Sequence, residues 1–173
     1  MTEVYHKKGY IAIMTKEKKT VTNVMRLLEK AGIPYDTREY EYDESDLSGV
    51  HAAQVLGLNP DMVFKTLVLR GERTGWFVCV VPVAYEVDLK KAAAVTGDKK
   101  CDLVAVKELL PLTGYIRGGC SPVGMKKQFP TYIDETATLQ ETISVSAGQR
   151  GVQVLVAPQA LADYTGARFA DLI

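Results

Sequence analysis

Apolar residues recur at helical spacing in several stretches of the chain, each bounded by residues that begin or end helices. A polar N-cap before such a run and a glycine after it are typical of a short helix. The predicted helices are one capped by Thr22 or Asn23 and ended by Gly32, one from Gly49 to Leu56 behind Ser48, one between Asp88 and Gly97, and one from Pro158 to Gly166. A further helical turn is expected to end before Pro111, because proline disfavours helix at the residue that precedes it.

Alternation of apolar and polar residues predicts strands in the rest of the chain. The run from Pro34 to Asp43 alternates, with Tyr40 and Tyr42 on one face. Glycine-containing loops between apolar runs indicate two hairpins. The predicted strands are Val63–Leu69 with Trp76–Val83 in the first hairpin, Thr142–Ser146 with Val152–Val156 in the second, and two others near Cys101–Val104 and Thr131–Asp134.

The order of these elements, with hairpins mixed among helical crossovers, predicts an α+β fold. We expect a single compact domain over residues 19–173, with a curved, mixed, mostly antiparallel, barrel-like sheet and flanking helices. Residues 1–18 are polar and basic apart from a short apolar patch at 10–14. We interpret them as an N-terminal arm or an extra strand.

The composition is that of an ordinary soluble protein, with 47% hydrophobic and 24% charged residues. No apolar run approaches the roughly 20 residues of a membrane span, and the N-terminus lacks the order of a signal peptide. Basic and acidic residues number 21 each, so the net charge is zero, which argues against a protein that coats nucleic acid generally. We therefore expect a cytoplasmic protein with no membrane or DNA partner.

The cysteines and histidines are too few and too scattered for a disulfide framework or a zinc site. Cys79, Cys101 and Cys120 form no CxxC pair, and His6 and His51 are the two histidines of the sequence. We interpret the cysteines as reduced thiols and expect neither a metal nor a cofactor.

The segment 113–127 is rich in glycine: it holds four glycines and one proline and ends on two lysines. Glycine accepts positive φ and allows a ligand to approach the main chain. The N–H groups of Gly118, Gly119 and Cys120 could therefore form a small cradle for an anion or a carbonyl oxygen. A tight connection with unusual backbone angles would need the same glycines. The P-loop pattern GxxxxGK[ST] is absent.

Lys65 stands at the start of an apolar strand, where an ammonium group must reach solvent or find a partner. The ordinary interpretation is a lysine at a strand end that reaches water. The functional interpretation is a fixed cation in a pocket, suited to a phosphate, a carboxylate or a developing oxyanion. Thr66 points to the other face if the strand is regular.

Other polar residues have ordinary alternatives too. Cys120 has no recognisable histidine partner, and Ser121 lacks the G-x-S-x-G context of a hydrolase nucleophile. Ser146 and Arg150 flank a glycine turn that needs no function. Tyr40 could stack or donate a hydrogen bond at a pocket wall, although an amphipathic strand does not require it.

Taken together and in order, these segments resemble the YbaK/EbsC proteins, which are freestanding relatives of the prolyl-tRNA synthetase editing domain. The resemblance runs from about Lys19 to the C-terminus. It is carried by KTVTNVMRLLEKAGI, REYEYD, GLNPDMVFKTLV, DLKKAA, TGYIRGGCSPVGMKK and SVSAGQRG. The glycine segment and the FKTL string are its specific parts.

The resemblance implies a trans-editing aminoacyl-tRNA deacylase. Such a protein hydrolyses the ester of mischarged Cys-tRNA(Pro), or of Cys-tRNA(Cys), with no metal and no cofactor, and the thiol of the substrate itself attacks the ester. The implied partner is the aminoacylated 3′ end of tRNA. The zero net charge indicates weak affinity for tRNA, and we therefore expect the protein to work beside prolyl-tRNA synthetase. The implied catalytic residues are Lys65 and Gly118; the implied substrate-binding residues are Tyr40, Thr66, Gly119, Cys120, Ser121, Ser146, Arg150 and Gln153.

Two positions depart from the family pattern. Gln153 stands where many relatives have an aspartate, and a neutral amide cannot act as a base. Cys120 stands where an aliphatic residue is usual. Two alternatives therefore stay open: a deacylase for alanyl- or another small aminoacyl-tRNA, and a non-catalytic module on the same fold that binds a nucleotide or a protein.

Overall fold

The computed structural model describes residues 20–173 in full and the backbone of residues 2–7 and 10–15. Near the N-terminus, β1 (Thr2–Lys7) and β2 (Tyr10–Thr15) pair antiparallel, with Thr2 opposite Thr15 and Lys7 opposite Tyr10. These two strands form a sheet of their own. The other residues of the predicted N-terminal arm lie outside the described residues.

The first three helices begin at the predicted caps. The Thr22 hydroxyl accepts from the Met25 N–H ahead of α1 (Asn23–Lys30), and Ser48 caps α2 (Gly49–Leu56) in the same way. Asp88 accepts two backbone N–H groups at the start of α3 (Leu89–Thr96). Each cap satisfies N–H groups that have no partner inside the helix, which is why these polar residues mark the starts.

The prediction of a helical turn that ends before Pro111 is wrong, because α4 (Val106–Thr113) continues through the proline. Proline removes one hydrogen bond of the ladder, and the last turn is completed by other bonds. The Thr113 hydroxyl donates to the Leu109 carbonyl at 2.7 Å, and the Gly114 N–H donates to the Leu110 carbonyl at 2.9 Å. α5 (Pro158–Thr165) has its proline in the first turn, as predicted.

A five-stranded mixed sheet forms the centre of the fold. Its spatial order is β10 (Arg168–Ala170), β7 (Thr131–Asp134), β5 (Gly75–Pro82), β4 (Phe64–Gly71) and β6 (Cys101–Leu103). β4 pairs antiparallel with β5 and β6, whereas β7 is parallel to β5 and to β10. The strand β10 was not predicted from the sequence. Its three residues are too few to show alternation, and they pair with a segment that is distant in sequence.

A three-stranded antiparallel sheet packs beside it. Its order is β3 (Tyr35–Glu39), β9 (Val152–Val156) and β8 (Ile143–Ser146). The strand β3 is shorter than the predicted run from Pro34 to Asp43. A parallel bridge between Val63 and Ser144 joins the two sheets. The predicted α+β domain is thus confirmed, and among the described strands no closed barrel forms.

The main hydrophobic core fills the space between the two sheets. This core contains residues of α1 and alternate residues of β4, β5, β8 and β9. Examples are Leu28, Val68, Val80, Val145 and Val154. A second core lies on the opposite face of the larger sheet, under α3, and a small third cluster joins α2 to Val63 and Val83. No helix in the described part of the chain has the length and apolar character needed to cross a bilayer.

Candidate active site

Lys65 lies on the face of β4 that continues onto the second hairpin. The ladder from Phe64 opposite Pro82 to Gly71 opposite Gly75 is unbroken, so side chains along β4 alternate regularly between the two faces. Val63 is bridged in parallel to Ser144, which places both on one face. Two residues further along each strand, Lys65 and Ser146 therefore share that face.

The strand register adds two residues to the same face. Gln153 of β9 is directly opposite Ser146 of β8 on one side and Arg38 of β3 on the other. Directly paired residues of antiparallel strands point to the same side of a sheet. We call this surface the polar face; its members are Arg38, Lys65, Ser144, Ser146 and Gln153.

Hydrogen bonds hold the buried members of the polar face in place. The Ser144 hydroxyl donates to Gln153 Oε1 at 3.0 Å, and Ser146 Oγ accepts the Gly148 N–H at 3.1 Å. All three side chains are buried. The Ser146 hydroxyl hydrogen and the Gln153 amide N–H₂ group have no acceptor among the described residues, so both can donate to a ligand.

Lys65 is mostly buried and meets one carboxylate. Its side chain is 25% exposed, and its Nζ lies 3.7 Å from Glu86 Oε1. The helix α2 packs near the start of β4, because Ala53 contacts Val63 and Val83 in the small third cluster. The Lys65 ammonium itself lies beside the turn that carries Glu86.

The glycine segment forms a fixed loop between α4 and β7. The Tyr115 hydroxyl donates to the Val123 carbonyl at 2.6 Å and closes the base of the loop. Gly118 has φ of 86°, a conformation that favours glycine. The structure differs from the prediction at Gly119. The N–H of this residue donates to the Ile116 carbonyl at 2.9 Å within a turn. The N–H groups of Gly118 and Cys120 have no acceptor among the described residues.

This loop packs directly on the turn of the second hairpin. Arg150 Nε donates to the Arg117 carbonyl at 2.9 Å. A Cβ placed on Gly119 would lie 3.1 Å from Gln149 Cα, and one placed on Gly118 would lie 3.6 Å from Leu47 Cβ. Leu47 precedes the cap of α2. The loop therefore lies close to the chain just before α2.

An open hollow of about 750 Å³ lies beside the end of β3 and the turn of the second hairpin, and no residue of the polar face lines it. Tyr40 and Arg150 line it together with Thr20, Glu39, Glu41, Tyr42, Gln149, Gly151 and Val152. The Tyr40 N–H donates to the Gly151 carbonyl at 2.9 Å, which extends the pairing of β3 with β9 by one residue. Burial raises the pKa of the Tyr40 hydroxyl, so Tyr40 acts as a neutral hydrogen-bonding group at neutral pH.

Three predicted substrate-binding residues face the core or lie in it. Thr66 alternates with Lys65 and faces the main core beside Phe64 and Val68, and its hydroxyl oxygen is buried without a hydrogen-bond partner. Ser121 is fully buried, and its Oγ accepts the Val123 N–H at 3.3 Å. Cys120 packs against the main core, where burial raises the pKa of its thiol to about 11.

Sequence reasoning missed three residues of this region: Ser144, Arg38 and Glu86. The first was detectable, because the serines of Ile143–Ser146 alternate with buried apolar residues and therefore share one side of the hairpin. Arg38 requires knowledge of which strand pairs with β9. Glu86 follows β5 in an irregular turn, and no local pattern connects it to Lys65.

The polar face offers one ammonium group and neutral donors, and the glycine loop offers two main-chain N–H groups without an acceptor among the described residues. Such a site can bind a phosphate or carbonyl oxygen and stabilise negative charge that develops during acyl transfer. Within the part of the chain that the structure describes, no three histidine, cysteine, aspartate or glutamate side chains come together as a metal site would require.

Comparison with known sequences gives a clear result. A sequence model of the aminoacyl-tRNA editing domain matches residues 47–164. EbsC of Enterococcus faecalis (strain ATCC 700802 / V583), provisionally named a Cys-tRNA(Pro)/Cys-tRNA(Cys) deacylase, is 46% identical over 157 residues. That alignment covers 91% of this chain and 96% of EbsC.

Solved structures have the same fold. A protein provisionally described as a trans-editing enzyme for prolyl tRNA synthetase superposes with a TM-score of 0.73 at 28% identity, over 88% of this chain and 98% of its own. The hypothetical protein APE2540 superposes with a TM-score of 0.78 at 22% identity, over 86% of this chain and 97% of its own. The second likeness concerns the fold alone.

The fold, the site and these matches define an enzyme class: the protein is an aminoacyl-tRNA hydrolase, or deacylase. The chain belongs to the aminoacyl-tRNA editing domain family, and its resemblance to the YbaK/EbsC proteins is confirmed.

Proposed function

We propose that this protein removes cysteine from mischarged Cys-tRNA(Pro) by a mechanism in which the substrate thiol is the nucleophile. The observation that carries the proposal is that Lys65, Ser146 and Gln153 share one face, and that Gly119 of the glycine loop packs on Gln149 in the turn that follows Ser146. The relationship to EbsC and the likeness to a trans-editing protein support cysteine and tRNA(Pro) as the substrate.

The proposed reaction needs no nucleophile from the protein. The cysteine sulfur of the substrate bonds to the ester carbonyl carbon, and the carbonyl oxygen becomes an oxyanion. The bond from this carbon to the ribose oxygen then breaks, and the ribose oxygen takes the proton that the thiol has lost. The released cyclic thioester reacts with water to give free cysteine. Cys120 does not compete as nucleophile, because its raised pKa keeps it a neutral thiol at neutral pH.

The residues of the polar face would bind and orient the substrate. Lys65 anchors the phosphate of the terminal nucleotide, and the Gly118 N–H donates to the oxyanion. Ser146 and Gln153 donate to the aminoacyl group. Holding the substrate sulfur close to the carbonyl carbon would by itself increase the rate greatly, because well-oriented intramolecular groups reach effective molarities of roughly 10⁵–10⁸ M.

The remaining predicted substrate-binding residues take supporting places in this proposal. Arg150 and Tyr40 line the hollow through which the tRNA end enters. Gly119 packs on the hairpin turn, the buried sides of Cys120 and Ser121 hold the loop on the core, and Thr66 faces the core from β4.

We further propose that the protein acts beside prolyl-tRNA synthetase in the cytoplasm, where tRNA is charged. The zero net charge supports this, because a protein without a basic surplus attracts tRNA weakly on its own. The description of the trans-editing structural relative points the same way.

The test is turnover of Cys-, Ala- and Ser-tRNA(Pro) by the protein and by a Lys65→Ala variant. Cys-tRNA(Pro) should be hydrolysed fastest, because it alone carries a thiol. Lys65→Ala should lower kcat/KM by roughly 10–10², the usual effect of losing a hydrogen bond to a charged group, because the terminal phosphate loses its anchor. Cys-tRNA(Pro) methylated on sulfur should resist hydrolysis.

Lys99→Ala provides a matched control. Lys99 is exposed and lies beyond the far end of β4, near Gly71 and Cys101, and its removal should leave turnover unchanged. Hydrolysis of the S-methylated substrate at the normal rate would contradict the thiol mechanism. Faster turnover of Ala-tRNA(Pro) would favour an alanyl-tRNA deacylase, and no turnover of any substrate would favour a binding module.

A further inference from the structure

Glu86 is a nearly free side chain beside a mostly buried cation. Its side chain is 92% exposed, whereas that of Lys65 is 25% exposed, and the two charges are 3.7 Å apart. Among the described residues, Glu86 is the one carboxylate within ion-pair distance of Lys65. The charge of Lys65 is therefore balanced by a group that stands almost wholly in solvent.

Hydrogen bonds and burial fix the backbone on both sides of Glu86, whereas the exposed Glu86 side chain is free to rotate. The Tyr85 N–H donates to the Pro82 carbonyl at 3.1 Å on one side. On the other side Val87 is buried, and the Asp88 N–H donates to the Leu172 carbonyl at 2.7 Å. The carboxylate can thus leave Lys65 by rotation of its own side chain, without any movement of the turn.

The pairing is weak enough for a ligand to break. A solvent-exposed ion pair at this distance changes an equilibrium by only up to about fivefold, because water screens it and an exposed side chain loses entropy when it is held. A phosphate with further contacts in the site can displace such a partner, whereas a small free anion gains little from the exchange.

We propose that Glu86 is an internal counter-ion that the terminal nucleotide of the substrate must displace from Lys65. Glu86 lowers the affinity of the site for free anions and so favours ligands that make additional contacts. This inference rests on the proposed function, which assigns Lys65 to a nucleotide phosphate. Glu86 is a specificity-determining residue in this scheme and takes no part in the chemical step.

The experiment measures binding of AMP and of inorganic phosphate to the full chain by NMR titration. Glu86→Gln should bind AMP about two- to fivefold more tightly, since it removes the competing charge but keeps the shape. Glu86→Asp should stay near the wild-type affinity. Glu141→Gln is the matched control, because Glu141 is exposed and forms no ion pair with a described residue; its AMP affinity should not change.

Two further measurements separate this role from a general effect of charge. In a Lys65→Met background, Glu86→Gln should no longer tighten AMP binding, and in 1 M salt the gain should shrink because exposed charges are screened. Unchanged or weaker AMP binding by Glu86→Gln would overturn the proposal, as would a gain that persists without Lys65. If Glu86→Gln tightens AMP binding but no mischarged tRNA is hydrolysed, the proposed function fails and the role of Glu86 stands.

Discussion

Burial determines the chemistry of Cys120. The thiol sits in the glycine loop, where a reactive nucleophile would be plausible from position alone, yet it packs against the main core. Burial raises its pKa to about 11, and a hydrogen bond with Thr113 only partly offsets that effect. A thiol in this state is a small apolar filler.

We therefore expect Cys120→Ala to keep its deacylase activity at neutral pH. The physical reason is that neither the charge nor the hydrogen bonding of the polar face depends on the thiol. Initial rates with Cys-tRNA(Pro) provide the measurement, and thiol labelling of the folded wild type should be slow. A large loss of kcat with an unchanged melting temperature would assign the thiol a direct role.

The same thiol predicts how stability depends on pH. Its folded pKa of about 11 exceeds the ordinary value of 9.0, so its contribution to stability is complete below pH 9 and is lost as pH rises toward 11. Over that range one such group lowers the free energy of unfolding by roughly 2–3 kcal/mol. Urea unfolding at pH 8 and pH 10.5 should show a smaller loss for Cys120→Ala than for the wild type.

At the scale of elements, the position of α2 depends on Gly49. A Cβ placed on Gly49 would lie 2.2 Å from Val83 Cγ1, closer than atoms can approach. Val83 belongs to the small cluster that joins α2 to Val63. Glycine at the first position of this helix therefore lets α2 lie against the strand ends beside Lys65.

Gly49→Ala should displace α2 and weaken both folding and catalysis. Overpacking of this kind costs about 1–3 kcal/mol, and kcat/KM should fall because α2 packs against Val63, which shares a face with Lys65. Val83→Ala in the same chain makes room for the new methyl group and should restore part of both. A double-mutant cycle from urea unfolding measures the coupling. If the losses in the free energy of unfolding are strictly additive, the side chains at positions 49 and 83 do not clash.

The whole molecule carries no net charge, and this bears on how it finds its substrate. Proteins that bind tRNA unaided usually present a basic surplus that attracts the phosphate backbone. Here the site has Lys65 and nearby arginines, but Glu44 lies 3.9 Å from Arg150 and Glu86 lies beside Lys65. We therefore expect the long-range attraction of tRNA to be weak.

We expect prolyl-tRNA synthetase to accelerate deacylation when tRNA is limiting, because the synthetase would supply the missing tRNA affinity. The measurement compares initial rates with Cys-tRNA(Pro) at low concentration, with and without the synthetase. A synthetase of another specificity is the control. Equal rates in all three conditions would contradict the partnership.

Much of the fold could be predicted because its signals are local. Thr22, Ser48 and Asp88 cap helices through their own neighbours, and alternation within each run identifies the longer strands. The misses have physical reasons as well. The helix through Pro111 continues because Thr113 and Gly114 complete its last turn, and β10 is too short to show a pattern.

The sequence by itself determined the α+β class, the capped helices, the hairpins and the presence of a lysine and a glycine loop, because each depends on residues close together in the chain. The tertiary structure alone decided which candidates meet. The Val63–Ser144 bridge places Lys65 with Ser146 and Gln153, and strand alternation turns Thr66 into the core. The physical reason is that hydrogen bonds between strands distant in sequence set the register. No local sequence pattern encodes that register.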